Sequence, residues 1–364
     1  IRGLCSFVKC VDVDLTIVGP DLPLGLGIVD RFLEAGLSIV GPTMSAAKLE
    51  TSKVFAKRFM WEQGIPMARG VISPTFEIAC ESIRVLFRHE QGPLFVKADG
   101  LAAGKGAFYC STEARAIEVV RSLMVDKVLS DAGQAVVIDR CLFGDEVSVH
   151  ILTDGEHWWW LPDAQDYKRL TSDPASPMTG SMGTISPAPI WTGELAEEGA
   201  CTIIEPTLSG MRARGTSYRG VLYLGLMIVD GKPYVLEYNA RFGDSEAQAI
   251  LPRIRGDIMP HLCHIASRPS GKDCRLPFVG DVTVQPIVFS PRSSVCVVLA
   301  GAGYPVAVSG CRHPIEGLVD ALALPDIHVY HAATFRGGDG CFQALDGHRV
   351  LSIVGEGRTL EYAR

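Results

Sequence analysis

Leu94-Phe95-Val96-Lys97-Ala98-Asp99-Gly100-Leu101-Ala102-Ala103-Gly104-Lys105-Gly106-Ala107-Phe108-Tyr109 is the stretch on which the fold turns. An apolar run enters a loop of glycines and small residues, and a second apolar run leaves it, so the pattern reads strand, loop, strand. A backbone this bare lets its N–H groups approach phosphate oxygens, and Lys97 and Lys105 add positive charge at the flanks. The order G-x-x-x-x-G-K-[ST] is absent and a strand follows the loop, which excludes a Walker-type phosphate loop. A hairpin with a glycine-rich tip and solvated lysines is the plain alternative.

Downstream, helical spacing over 112–124 and the apolar run 135–138 complete a β-loop-β-α-β block that reads as a small lid, about 71–140. Upstream, one helix is expected over 45–63, ended by Gly64 and Pro66. Ser73-Pro74 offers a cap and first-turn proline to another. The first fifty residues alternate strand, helix, strand, with Gly19-Pro20 and Gly41-Pro42 as stops, the signature of an incomplete doubly wound domain. Two hairpins are expected to turn on Asp154-Gly155 and Asp230-Gly231. Between them 162–189 is polar and aperiodic, 267–280 reads as a linker, and 281–364 is β-rich.

A second chemical signal is Glu237-Tyr238-Asn239-Ala240-Arg241-Phe242-Gly243-Asp244. Glu237 and Asn239 stand two apart in a strand and share a face, offering the hard oxygen donors that suit Mg²⁺. Arg241 continues that face with a fork for carboxylate or phosphate. A solvated strand end with an Arg–Glu pair is the alternative. Gln165-Asp166-Tyr167-Lys168-Arg169 could close over an anion or be plain surface. Asp139 and Glu146, either side of Gly144, could read adenine and ribose hydroxyls. The run 157–160 supplies packing, and His261 and His264 lie on a helix with no partner cluster for a metal.

The 364 residues suffice for two or three domains, and 34 basic against 41 acidic residues, a net charge of −7, argue against nonspecific nucleic-acid binding. No apolar run approaches the ~20 residues of a membrane span, and the start lacks a secretory pattern. Eleven scattered cysteines without a C-x-x-C pair read as reduced thiols of a cytoplasmic protein.

On these residues the chain resembles the glycinamide ribonucleotide synthetase (phosphoribosylamine–glycine ligase) family of ATP-grasp enzymes, nearly end to end. The likeness is carried by Val18-Gly19-Pro20-Asp21, Leu49-Glu50-x-Ser52-Lys53, Lys97–Gly106, Gln165-Asp166-x-Lys168-Arg169, Gly183-x-x-Ser186-Pro187, Glu237-x-Asn239-x-Arg241-Phe242-Gly243-Asp244 and Gly303-Tyr304-Pro305. It implies an α/β (α+β ATP-grasp) fold: a partial N-terminal domain over 1–50, an ATP-grasp domain over 51–266 with its lid, and a truncated C-terminal domain over 281–364. It implies purine-biosynthetic ligation of glycine to 5-phosphoribosylamine with ATP and Mg²⁺ or Mn²⁺, by a monomer or a module of a larger purine-pathway polypeptide.

By position, Lys53, Lys97, Gly100, Gly104, Lys105 and Gly106 would hold ATP phosphates, with Asp139–Leu142 at adenine and Glu146 at ribose. Glu237 and Asn239 would hold the metal. Arg241 and Asp244 would orient glycine, and Asp21, Asp166, Lys168 and Arg169 would sit near phosphoribosylamine. The chain is expected to lack the family's opening strand, its Gly-Asn-Gly-Gly-Arg-Glu-His loop and its extreme C-terminus. It departs from the family at Met178 and Ser181, where Asn and Gly are usual, at Arg140, and at Ser245, where Pro is usual. A non-catalytic nucleotide-binding remnant and a ligase for another acid and amine are the alternatives.

Overall fold

Thr16–Ile17 and Ile39–Val40, the apolar runs before the two Gly-Pro stops, pair in parallel in a computed structural model of the chain. The structure describes residues 1–89, 92–102, 106–173, 176–266, 285–306, 310–338 and 340–364. Gly104, Lys105 and the linker expected over 267–280 lie outside the described residues. Two units emerge: one of 1–160, 192–242 and 257–286, the other of 161–191, 243–256 and 287–364.

In the first unit the expected helix between the two short strands is Ile28–Glu34, closed by Gly36 at φ 77°. A helix Arg2–Cys10 precedes it. The helix expected over 45–63 is two, Lys48–Thr51 and Lys53–Gln63. Ser52 between them is extended, and its Oγ accepts the Phe55 N–H, so it ends one helix and caps the next. Ser73 is likewise not the cap expected: it ends the strand Gly70–Ser73, and the Oγ1 of Thr75 accepts from Ile78 N–H instead.

An antiparallel sheet runs in the order Gly70–Ser73, Val136–Arg140, Leu94–Ala98, Ala107–Cys110. Helices Phe76–His89 and Glu113–Met124 cover one face, where Leu94, Val96, Ala79, Ile83, Val120 and Leu123 form a core. Each large aliphatic side chain buried there contributes ~1.5–3 kcal/mol. Strand alternation then sends Phe95 and Lys97 to the opposite face.

A second antiparallel sheet is ordered Lys232–Asn239, Gly220–Val229, Asp145–Thr153, Trp158–Trp160. Asp230 and Gly231, both at positive φ (48° and 73°), make the tight turn expected. The other hairpin is longer than a two-residue turn: Asp154 Oδ1 accepts from Glu156 and His157 N–H across a four-residue loop. The pairing slips where Gly225 faces Glu237 but Leu226 faces Val235, leaving Leu236 as the extra residue. The helical stretch 193–213, capped by Thr192, contains a π-turn, Ala200–Ile204, just before Pro206.

The second unit is built on a five-stranded antiparallel sheet in the order Ile327–His331, Arg349–Gly357, Ser293–Ala300, Gly183–Ser186, Gln165–Asp166. The last two strands lie inside 162–189, expected to be irregular. Gly183 lies against the Cys296 carbonyl, where no Cβ would fit. Three short strands, Arg312–Pro314, Phe342–Leu345 and Thr334–Arg336, form a further sheet. Among the described residues no helix is long and apolar enough to cross a membrane, and the cysteines form no disulfide.

Candidate active site

Lys97 leaves the helix-covered core because of strand alternation, and this turns it toward the second sheet of the first unit. Its Nζ lies 3.2 Å from the Leu236 carbonyl, at the bulge, and 3.0 Å from Asp139 Oδ2. Asp139 is buried, and its Oδ1 lies 2.6 Å from Lys57 Nζ, which also donates to the Ala68 carbonyl. Burial lowers the Lys57 pKa and the Asp139 charge opposes that. The Asp139 carboxylate is thus the hub between two lysines, one on a helix and one on a strand.

Lys53 opens its helix at the Ser52 break, and its Nζ reaches Glu237 Oε2 at 2.9 Å. Asp99, at the head of the glycine-rich loop, fixes that break. Its Oδ1 accepts from Ser52 Oγ at 2.7 Å and from Val54 N–H at 2.8 Å, and its carbonyl accepts from Lys53 N–H. The loop is pinned in turn by Gly100 N–H on the Ala132 carbonyl and by Ala98 N–H on the Gly106 carbonyl. A Cβ on Gly100 would come within 2.9 Å of the Ala132 backbone, so the residue there must be glycine for steric reasons alone.

Across the second sheet, cross-strand register aligns Ser148, Gly225 and Glu237 in one row and His150, Tyr223 and Asn239 in the next. Tyr223 Oη and Ser148 Oγ are 3.0 Å apart, and the His150 ring stacks on Tyr223 at 4.4 Å. Burial pushes His150 down to about 3, and the neighbouring Arg241 charge adds to this. Arg241 leaves the strand end toward Glu50 Oε1 (2.9 Å), with Asn239 Oδ1 at 3.4 Å and Asp21 Oδ2 at 3.9 Å. Glu50 also accepts the Ala240 N–H at 2.8 Å. Burial raises the Glu50 pKa, while Arg241 and the Ala240 N–H work against the rise.

The structure therefore brings together Asp21, Lys53, Lys97, Asp139, Glu237, Asn239 and Arg241 from the sequence-based set. Glu146 sits two residues before Ser148 on the same strand, opposite Met227. Leu142 lines a cleft of about 250 Å³ with Arg69, Pro93 and Phe143, which none of the lysines enters. Asp166, Lys168, Arg169 and Asp244 belong to the second unit. There Asp166 pairs with Thr184, the Lys168 carbonyl accepts from Thr179, and Arg169 bridges to Met178. The Asp244 carboxylate takes Arg349 at 2.6 Å and Gln248 at 2.8 Å.

Sequence reasoning assigned no role to Lys57, Asp99, His150, Arg349 or Glu50. Glu50 and Lys57 carry a readable signal, as charged residues three places before and four places after Lys53 in a helical pattern. His264, expected to have no metal-type partner, has two: Asp154 and His157.

Glu237 and Asn239 stand at the strand end as candidate metal donors. The Asn239 amide nitrogen is buried with no hydrogen-bond partner among the described residues. Amide orientation follows from the hydrogen-bond network, and turning this one over would place an oxygen where the orphan nitrogen stands, in exchange for the long 3.4 Å contact that Arg241 makes to the present oxygen. Carboxylate and amide oxygens side by side form a hard donor set that fits a divalent cation such as Mg²⁺.

Comparison with known proteins adds the following. Residues 1–50 match the N domain of phosphoribosylglycinamide synthetase, and 51–247 match its ATP-grasp (A) domain. The phosphoribosylamine–glycine ligase of Vibrio vulnificus is 41% identical over 367 residues, covering 100% of this chain and 80% of that protein. That of Chlorobaculum tepidum is 39% identical, covering 97% and 79%. The crystal structure of phosphoribosylamine–glycine ligase from Thermotoga maritima superposes with a TM-score of 0.72 at 31% identity, covering 89% of this chain and 76% of that one. The biotin carboxylase domain of Hydrogenobacter thermophilus 2-oxoglutarate carboxylase, solved with MgADP, gives 0.68 at 15% identity over 100% and 74%, a likeness of fold alone.

Proposed function

We infer the reaction from one premise: this chain belongs to the phosphoribosylglycinamide synthetase family. On that premise it is an ATP-dependent carbon–nitrogen ligase that joins glycine to 5-phosphoribosylamine, giving glycinamide ribonucleotide, ADP and phosphate in purine biosynthesis. The observation that carries this reading is the facing of Lys53 and Lys97 onto the Glu237–Asn239 strand end. It supplies cationic hands for phosphates beside hard oxygen donors.

In the proposed mechanism a glycine carboxylate oxygen attacks the γ-phosphorus as its bond to the β-phosphate oxygen breaks, releasing ADP and leaving glycyl phosphate. The amine of phosphoribosylamine then attacks the acyl carbon, phosphate departs and the amine gives up a proton. Lys53 and Lys97 hold the phosphates, joined by the loop residues Gly100, Gly104, Lys105 and Gly106. Asp139 keeps Lys97 in place through its ion pair, and the segment 139–142 borders adenine, with Glu146 at ribose. In the first unit Arg241, braced by Glu50, is assigned to the glycine carboxylate and Asp21 to phosphoribosylamine. In the second, by the family resemblance alone, Asp244 is assigned to the glycine amine and Asp166, Lys168 and Arg169 to phosphoribosylamine.

Glu237 and Asn239 would hold the divalent ion, proposed as Mg²⁺ with Mn²⁺ as substitute, which when bound offsets charge on the transferring phosphoryl. Positioning and electrostatics supply the catalysis. We also propose domain limits of 1–50, 51–266 with the lid near 71–140, and 281–364, and a cytoplasmic setting.

The test is ADP release with glycine and freshly made phosphoribosylamine. Release is expected to depend on both substrates, and Lys97→Ala and Glu237→Ala are expected to lower turnover about 100-fold or more while remaining folded. Folded wild-type protein that releases no ADP with this pair would refute the assignment.

A further inference from the structure

Asp154 and His157 sit in the loop between the strands Asp145–Thr153 and Trp158–Trp160. His264 comes from the last turn of the helix Met259–Ile265, far off in sequence. Asp154 Oδ2 lies 2.8 Å from His264 Nε2 and 3.1 Å from His157 Nδ1, and the three atoms fall within 4.8 Å of one another. We propose that these three side chains form a binding site for a divalent transition-metal ion of the Zn²⁺ class, tying the loop to the helix.

Three features of the surroundings favour a built site over a chance cluster. First, the carboxylate is oriented: Oδ1 accepts the Glu156 and His157 N–H groups at 2.8 and 2.6 Å, which leaves Oδ2 facing both imidazoles. Such outer hydrogen bonds on a ligating carboxylate fix its aim. Second, the His264 ring is held edge-on against Trp159, with centroids 5.7 Å apart and planes at 84°. Third, Arg219 braces both backbones that bear the ligands, donating to the Asp154 carbonyl at 2.9 Å and the His264 carbonyl at 3.0 Å.

Two imidazole nitrogens and one carboxylate oxygen are a borderline donor set, which favours Zn²⁺ over the all-oxygen preference of Mg²⁺ and Ca²⁺. Zinc would need each donor at ~2.0–2.2 Å, a span that donors this close reach with side-chain adjustment alone. Half-exposed His157 leaves a fourth position open to water. With the cation absent, the same atoms form an Asp-centred hydrogen-bond cluster. Each neutral imidazole has a second tautomer that turns a lone pair inward.

The test is equilibrium dialysis of the full chain against ZnCl₂ with Mg²⁺ in large excess, read as zinc per chain and as the zinc-induced rise in melting temperature. Wild type is expected to hold one zinc at this site. His264→Gln and the surface substitution His157→Gln are each expected to weaken that binding at least ~10-fold and to abolish the rise. Glu237→Gln is expected to leave both intact, which separates this site from the strand-end donors, and Cys→Ser substitutions at the exposed Cys10, Cys201, Cys311 and Cys341 control for thiols. Ligase turnover without added zinc should be unchanged in the two histidine variants. If folded His157→Gln protein, with the exposed thiols removed, binds zinc as tightly as its parent, the proposal is wrong.

Discussion

Two of the residues that set this chain apart from its family's pattern touch each other. Ser181 stands where the family has glycine, and its φ of 136° lies in the region glycine favours. Ser245 stands where the family has proline. Their hydroxyls are 2.8 Å apart, both buried, and Ser245 Oγ is also 2.8 Å from Thr184 Oγ1. The strain at Ser181 is therefore offset by a hydrogen-bonded chain that the second substitution completes. Ser181→Gly is expected to cost less than ~1 kcal/mol, because relief of φ balances the lost bond. Ser245→Ala, by contrast, should cost ~1–3 kcal/mol by leaving two buried hydroxyls short of a partner. Urea unfolding of both singles and the double variant should show coupling, and strict additivity would refute the link. Nothing in a single sequence announces such a pair, since the partners are 64 positions apart and either serine alone reads as ordinary loop.

At the scale of elements, hydrophobic period and turn chemistry made much of the fold legible. The strand 94–98, the helix 113–124 and the Asp230-Gly231 turn follow from alternation, from a Thr cap and from residues that accept positive φ. What escaped is decided by tertiary contacts. The break at Ser52 depends on Asp99 reaching across from the glycine-rich loop. The helical stretch 193–213 was assigned no element from the sequence; Pro206 is ordinarily against a helix interior, and here a π-turn precedes it. The glycines test this division between local and tertiary causes. Gly231→Ala meets open space and should cost only the ~1 kcal/mol of its left-handed conformation. Gly144→Ala would drive a methyl into the Ile228 carbonyl and should cost ~3 kcal/mol. Equal losses in chemical denaturation would show that the close approach at Gly144 is illusory.

For the molecule as a whole, pH stability carries the imprint of one buried ring. The His150 pKa falls from 6.5 to about 3 in the folded protein, so the native state refuses a proton that the unfolded chain accepts. Stability from this source is complete above pH ~6.5 and is lost as pH falls from there toward ~3. His150→Phe keeps a ring against Tyr223 and should flatten that acid limb. Urea midpoints measured across the range would stay parallel for the two proteins if His150 were not the cause. Of the candidate site, Lys97, the proposed metal donors Glu237 and Asn239, and Arg241 could be read from residue type and spacing, whereas Lys53 came only from the family resemblance. For Glu50 and Lys57 only the helical spacing could be read and not the charges they meet, and Asp99 left no signal, because contacts closed across the fold leave no local pattern.

The contact between Lys53 and Glu237 has a consequence for how the site fills. On the proposed roles, each charge serves as a stand-in for the other's eventual guest: a phosphate taking Lys53 alone would weaken the hold on Glu237, and a cation taking Glu237 alone would do the reverse. Arriving together, they would exchange one pair for two. Nucleotide and metal would thereby be coupled as cooperative guests, each raising the other's affinity by the same factor.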